Sequence, residues 1–284
     1  MRCYLIVNLT KENAPSCARD AIASLCQAGA QVILTPETAV ALGEQEPLRL
    51  PDKEAMEACD IAISIGGDGT LLHAAIDALM FDKPVIGINS GRLGYLTQIE
   101  RPLENSLSKL AAGQFSIQPR TVLEAEILQK DGSRQHLFAI NDIVIARNTV
   151  ANMIDIEVER GRISFASYRA DGLIIATPTG STAYSMSAGG AIVDPNMECL
   201  IMTPICPHSL ADRSVVLTAR EPLHVRLVTR NTMPDAGVSV DGAAPLPMVD
   251  GTELYIYASA KRSLFVQLDD VSFYKTLGQK LIGK

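Results

Sequence analysis

No Cys-x-x-Cys pair occurs in the chain. Its six cysteines (Cys3, Cys17, Cys26, Cys59, Cys199 and Cys206) are scattered, so neither a zinc site nor a disulfide framework is signalled, and reduced thiols in a cytoplasm fit the pattern. No stretch approaches the roughly 20 apolar residues that a membrane span needs. The amino terminus opens on the strand-like run 3–8 and not on a basic segment with a long apolar one, so neither a targeting segment nor a membrane partner is expected. Long blocks of like charge are missing too. A formal charge of −7 with both signs interspersed leaves no footprint for nucleic acid or anionic lipid. There is no Pro/Ser linker, low-complexity tract or internal repeat. What remains, 284 residues at 47% hydrophobic and 20% charged, is the composition of a globular chain of one large or two ordinary domains.

The first third alternates two patterns. Short apolar runs at 3–8, 31–35, 60–65 and 83–88 have strand length, and helix-like stretches at 16–28, 53–59 and 70–80 lie between them, the grammar of a parallel sheet covered on both faces. In the third helix Leu72, Ala75, Ile76 and Leu79 share a face, with Thr70 as N-cap and Asp68 just before the helix. After a helix at 102–111 the pattern changes to strands separated by turns, which reads as antiparallel. It includes 121–129, one continuous run over 136–146, the pair 153–159 and 163–168, and further runs near 199–204, 214–218, 222–229, 236–240, 253–258 and 263–268. A helix-like interruption falls at 180–190. We therefore expect an α/β nucleotide-binding domain over 1–100, a β-rich domain over 101–268, and a segment at 269–284 that forms a short helix and packs back on the first domain.

Residues 66–70, Gly-Gly-Asp-Gly-Thr, stand where an apolar strand runs into a helix. Such loops attract phosphate, because unpaired N–H groups and the positive end of the helix dipole converge there. A carboxylate inside one is repulsive unless a divalent cation lies between it and the phosphate, or unless it faces the hydroxyl that attacks phosphorus. Both readings are phosphoryl transfer. A plainer reading makes Asp68 a helix cap in a Gly-rich turn. The G-x-x-x-x-G-K-[S/T] loop, the His-Arg-Asp catalytic loop and the G-x-S-x-G elbow are all absent, which removes P-loop, protein-kinase and serine-hydrolase readings. A second stretch, 168–195, contains an Asp-Gly turn, an apolar run, and a small-residue loop whose hydroxyls at Thr179, Ser181 and Thr182 and aromatic ring at Tyr184 suit a nucleotide.

Taken together, GGDGT (66–70), NDIVIA (141–146), DGLIIATPTGSTAYSMSAGG (171–190) and TPICPHSL (203–210) resemble the NAD kinase family in order and over most of the chain. The Gly-Gly-Asp-Gly loop is shared with phosphofructokinases and with diacylglycerol or sphingosine kinases, whereas the second block is similar to NAD kinases specifically. The resemblance implies an amino-terminal α/β domain with a parallel sheet, a mostly antiparallel carboxy-terminal β domain, and a site between them. It implies transfer of the ATP γ-phosphoryl group to the 2′-hydroxyl of the adenosine ribose of NAD with Mg²⁺, and a homo-oligomer, dimer or tetramer.

Residue by residue, the resemblance makes Asp68 the catalytic aspartate, with Gly66 and Gly67 in the phosphate loop and Gly69 at the ligand. His73 lies where relatives often carry arginine. Asn141 and Asp142 match an Asn-Glu pair that holds adenosine, with aspartate in place of the usual glutamate. Asp171 falls near the nicotinamide end and Arg169 matches a basic residue that helps distinguish NAD from NADH, with Thr182, Ala183, Tyr184 and Ser187 in the adenosine-contacting block and Asn152 near a ligand-touching position. Pro204 and Pro207 stiffen a loop bordering the site, with Cys206 and His208 in it. Asp241-Gly242 resembles a family Asp-Gly-Gln turn, but Ala243 replaces the glutamine, so any contact from that amide is lost. Two alternatives stay open: a lipid or other small-alcohol kinase on the same fold, and a non-catalytic regulator that binds NAD or NADP and has no use for Asp68.

Overall fold

The apolar runs of the first third do form a parallel sheet in the computed structural model, which describes residues 1–91, 94–129, 131–149, 152–228, 236–248, 252–268 and 273–282. Two units result, Met1–Pro119 with Ser263–Lys284, and Arg120–Arg262. In chain order the first contains β1 (Arg2–Val7), α1 (Ala14–Gln27), β2 (Gln31–Leu34), α2 (Pro36–Leu42), β3 (Leu48–Arg49), α3 (Asp52–Ala58), β4 (Ile61–Gly66), α4 (Asp68–Leu79), β5 (Val85–Asn89) and α5 (Glu104–Ala111). Its strands lie in the order β5, β4, β1, β2, β3, all parallel. From β1 the chain steps through α1 to β2 on one side, and from β4 through α4 to β5 on the other. The crevice between the carboxyl ends of β1 and β4 is thus the switch point at which open parallel sheets bind ligands.

Local chemistry explains these elements. In α1 the buried residues Ala14, Cys17, Ala18, Ala21, Ile22 and Leu25 recur every three or four positions and face the sheet. Thr35 caps α2, its hydroxyl accepting from Thr38 N at 3.2 Å, and Gly43 ends that helix at φ 72°. Seven residues of α2 make two turns, too few to show a period, and for that reason sequence patterning passes over it. β4 is buried along its whole length, with Ile61, Ile63 and Ile65 in one core and Ala62 and Ser64 on the opposite face.

The second unit contains β6 (Ser116–Leu128), β7 (Arg134–Ala139), β8 (Asp142–Arg147), β9 (Ile154–Arg160), β10 (Ile163–Ala170), β11 (Gly172–Ala176), a 3₁₀ turn (Thr179–Thr182), α6 (Tyr184–Ser187), β12 (Cys199–Ile205), β13 (Val215–Thr218), β14 (Leu223–Val228), β15 (Ala236–Val240), β16 (Leu246–Met248) and most of β17 (Glu253–Gln267). The chain passes between units within β6 and within β17. One sheet runs β13, β12, β11, β8, β15, β16, antiparallel throughout, and β9, β10, β14, β17, β6 and β7 form the other layer. Ile143, Ile145, Leu173 and Ile175 of the first layer pack with Leu123, Ile156, Val158, Val225 and Ile256 of the second. The intervening Val144, Ile174 and Ala176 face a smaller apolar cluster with Val193, Cys199 and Ile201.

Four departures from the sequence reading have physical causes. The run 136–146 is not one strand: it breaks at Ile140–Asn141, leaving β7 paired with β6 and β8 paired with β11 and β15. The runs 253–258 and 263–268 join into β17, whose polar middle is held where Ser259 donates to Glu124 at 2.8 Å. The stretch 180–190 is two short turns interrupted at Ala183 (φ −99°, ψ −130°), not a continuous helix. Finally, α4 begins at Asp68 with Gly67 as N-cap, so Thr70 lies inside the first turn. The change of pattern near residue 100 falls within the first unit, which keeps α5 and the start of β6. In that unit the terminal helix α7 (Phe273–Ile282) sets Lys280 Nζ 4.1 Å from the centre of the Tyr95 ring. Lys130, Thr229, residues 269–272, Gly283 and Lys284, which the sequence reading placed in turn, strand and terminal segment, lie outside the described residues.

Ile63 is fully buried in the middle of β4. Ile63→Ala is expected to cost about 2–5 kcal/mol through lost burial and the cavity left behind, read as a lower urea midpoint.

Candidate active site

Glycine at position 66 is required by packing: a Cβ there would run into the Thr70 side chain. Thr70 in turn accepts from Asn8 Nδ2 at 3.1 Å, which ties the loop after β1 to the first turn of α4. Ser90 N donates to Gly66 O at 2.8 Å and binds the loop after β5 to the same point. The first-turn N–H groups of α4 have no intrahelical acceptors, and with the helix dipole they make this edge attractive to anions. On the α1 side of the sheet a separate cleft of ≈ 350 Å³ is lined by Asn13, Cys17, Asn89, Ser90, Gly91, Glu100 and Arg101.

Asp68 makes no capping bond to its own helix. Its carboxylate reaches instead to residues 95–97. Oδ2 accepts from Tyr95 N at 2.6 Å; Oδ1 accepts from Leu96 N at 3.2 Å, Thr97 N at 3.1 Å and Thr97 Oγ1 at 3.2 Å. The approach is close enough that a Cβ on Gly94 would overlap the carboxylate. His73, one turn further along α4, is exposed, and Gly67 and Gly69 have open space around them.

In the second unit Asp241, at φ 47° in the turn between β15 and β16, presents its carboxylate to three consecutive N–H groups. Ile140 N lies 2.8 Å from Oδ2, and Asn141 N and Asp142 N lie 2.8 and 3.0 Å from Oδ1. Successive residues of a strand point their N–H groups to opposite sides, so gathering three on one carboxylate ends β7 and starts β8. Asn141 is thereby buried with its Oδ1 lacking a hydrogen-bond partner. Burial, and then the charge of Asp241, push the Asp142 carboxyl up to about 7.

Thr177 and Gly180 bring the 179–187 block to this corner. Thr177 N donates to Asn141 O at 2.8 Å, Thr177 Oγ1 donates to Ile140 O at 2.5 Å, and a Cβ on Gly180 would collide with the Asn141 backbone. Thr182 and Ala183 are half-buried, while Tyr184 and Ser187 are exposed. Ser181 is buried and occupied by Pro178 O and Val193, so its hydroxyl serves the fold. Asp171 pairs with Arg147 (Nε–Oδ1 2.9 Å), and Arg169 is exposed, its carbonyl accepting from His208 N at 2.8 Å. Asn152 is exposed, and no described contact joins it to the others. The residues that sequence reasoning missed are Gly94, Tyr95, Leu96 and Thr97 around Asp68, and Arg147 beside Asp171. Asp241 was seen only as a turn.

Residues 4–115 match the model of the ATP-NAD kinase N-terminal domain, and residues 140–268 match that of the ATP-NAD kinase C-terminal domain. The chain belongs to the NAD kinase family. It is 38% identical over 280 residues to an NAD kinase of Symbiobacterium thermophilum, covering 98% of both chains, and 34% identical over 278 residues to that of Desulforamulus reducens, covering 98% of this chain and 96% of the relative. Among solved structures it is similar to an NAD kinase from Archaeoglobus fulgidus in complex with ATP, at 26% identity and TM-score 0.77 with 100% of both chains covered. Its fold is also that of a yeast NADH kinase complexed with NADH, at 24% identity and TM-score 0.87, covering 100% of this chain and 87% of that one.

Asp142 holds its proton to about pH 7 in the folded chain against an ordinary value of 3.8. Between those values the folded state binds more protons than the unfolded one, so this group's contribution is full below about pH 4, is lost as pH rises to about 7, and is flat above. Asp142→Asn removes that loss. Urea titrations from pH 4 to 8 are expected to show the variant gaining on the parent by up to about 1.4 kcal/mol per pH unit across the window; parallel curves contradict the assignment.

Proposed function

We propose that this chain transfers the γ-phosphoryl group of ATP to the 2′-hydroxyl of the adenosine ribose of NAD, yielding NADP. The observation that carries the reading is the Asp68 carboxylate fixed at the anion-attracting start of α4, in a chain 38% identical over nearly its whole length to an NAD kinase. The N–H groups around Gly66, Gly67 and Gly69 hold donor phosphate. Asp68 faces the acceptor hydroxyl, orients it and takes its proton. Of its two oxygens Oδ2 carries a single hydrogen bond and keeps a lone pair for that task.

In the second unit Asn141 Oδ1, buried and without a partner, is ready to accept from adenine or ribose, and Asp142, Thr182, Ala183, Tyr184 and Ser187 complete the acceptor contacts. Arg169 and Asp171 serve the nicotinamide end, with Arg147 holding Asp171 in place. His73 and Asn152 stay outer contacts. Phosphoryl transfer asks little covalent chemistry of the protein, so the rate comes from alignment and charge stabilisation.

Among the described residues no group of three or more His, Cys, Asp or Glu is placed to hold a metal ion. Mg²⁺ needs no such cage, since it fills most of its shell with phosphate oxygens and water, which leaves Asp68 Oδ2 to the acceptor hydroxyl. Bound with the nucleotide, the cation would neutralise phosphate charge. No described helix is long and apolar enough to cross a membrane; a homo-oligomer, dimer or tetramer, is the working form that the family resemblance implies, and the scattered, unpaired cysteines suit a cytoplasm.

The test is incubation with ATP, Mg²⁺ and NAD. NADP formation is expected, and its absence with folded protein overturns the reading. Asn141→Ala leaves a ligand donor unpaired and is expected to weaken NAD binding by about 1–3 kcal/mol, roughly ten- to hundredfold by calorimetry. Unchanged affinity removes Asn141 from the site.

A further inference from the structure

We infer that Thr97 is a positioning residue for phosphoryl transfer, acting through Asp68; the inference rests on the kinase reading above. Thr97 gives the carboxylate two of its four hydrogen bonds, from its backbone N–H at 3.1 Å and its hydroxyl at 3.2 Å, both to Oδ1. With Leu96 N also on Oδ1, that oxygen is fully engaged, while Oδ2 has only Tyr95 N. A carboxylate bound this unevenly is held in one rotation about its Cβ–Cγ bond, with Oδ2 as the oxygen that keeps free acceptor capacity.

The Thr97 side chain is itself fixed. It is 5% exposed, and its Cγ2 fills the space beside Gly87 of β5, where a Cβ would lie 2.8 Å from that methyl. A β-branched residue with its methyl seated cannot swing its hydroxyl away. Rigidity of the central sheet thus reaches the reacting oxygen through one side chain: Gly87 seats the methyl, the methyl aims Oγ1, and Oγ1 anchors Oδ1. Gly94 completes the arrangement by leaving the carboxylate room. Thr97 touches no substrate in this scheme, so its removal should lower turnover without changing binding.

Thr97→Val keeps the branched shape and removes the hydroxyl. Its kcat is expected to fall about tenfold with KM for NAD and ATP unchanged, and Thr97→Ser, which restores the hydroxyl without the methyl that aims it, to recover only part of the loss. Melting temperatures of Thr97→Val, Asp68→Ala and the double variant read the contact without any activity: the two single losses should exceed the loss of the double variant when added, and strict additivity overturns the contact. Coupled melting shifts with unchanged kcat, or a higher KM at unchanged kcat, overturn the positioning role. A parent enzyme that forms no NADP defeats the kinase reading and this inference with it, an outcome distinct from an active parent with an equally active Thr97→Val.

Discussion

A single carboxylate shared among consecutive backbone N–H groups is the constraint on which both halves of this protein depend. In the first unit Asp68 gathers the amides of residues 95–97, and in the second Asp241 gathers those of 140–142. Charge-assisted bonds of this kind are stronger than neutral ones, and three on one acceptor define a loop that would otherwise have several conformations. The consequences differ. Asp68 takes its own orientation from the clamp, whereas Asp241 lends orientation to its neighbours Asn141 and Asp142.

The Asp68 clamp also changes what a charge in a phosphate loop means. A free carboxylate at the start of α4 would compete with an anionic ligand for the same N–H groups. Bound to residues 95–97 instead, it leaves the helix start to phosphate, and one of its oxygens stays available for a hydroxyl or a cation. Thr70, Asn8 and Ser90 brace the loop, so the close approach of three strand ends is set by Gly66, a position at which any side chain would strike Thr70.

Much of this was legible in the sequence, where it depended on local pattern. The parallel strands of the first unit, the hairpin of β9 and β10, and the Gly-Gly-Asp-Gly-Thr loop all announce themselves by periodicity or turn residues. What sequence hid was long-range. Nothing near Ile140 signals that a carboxylate a hundred positions later splits an apolar run into two strands in different sheets. Gly94 and Thr97 read as ordinary loop residues until Asp68 is placed between them. Tyr184 and Ser187 do fall in a helix, α6, but Ala183 separates it from the 3₁₀ turn before it, so the small-residue block is not one continuous helix.

The most direct measurement is turnover and NAD affinity for Asp68→Asn, taken together on folded enzyme. Asparagine keeps the size of the side chain but removes its charge, and places an amide where Oδ2 or Oδ1 must accept from N–H, so loop 94–97 should loosen as well. Loss of a positioned base typically costs about 10²–10⁴ in rate. A fall of that order with NAD affinity retained, by calorimetry, is the expected result, since an interaction made only in the transition state is lost. Near-parental NADP formation by folded Asp68→Asn would contradict the assignment of Asp68 to the chemistry.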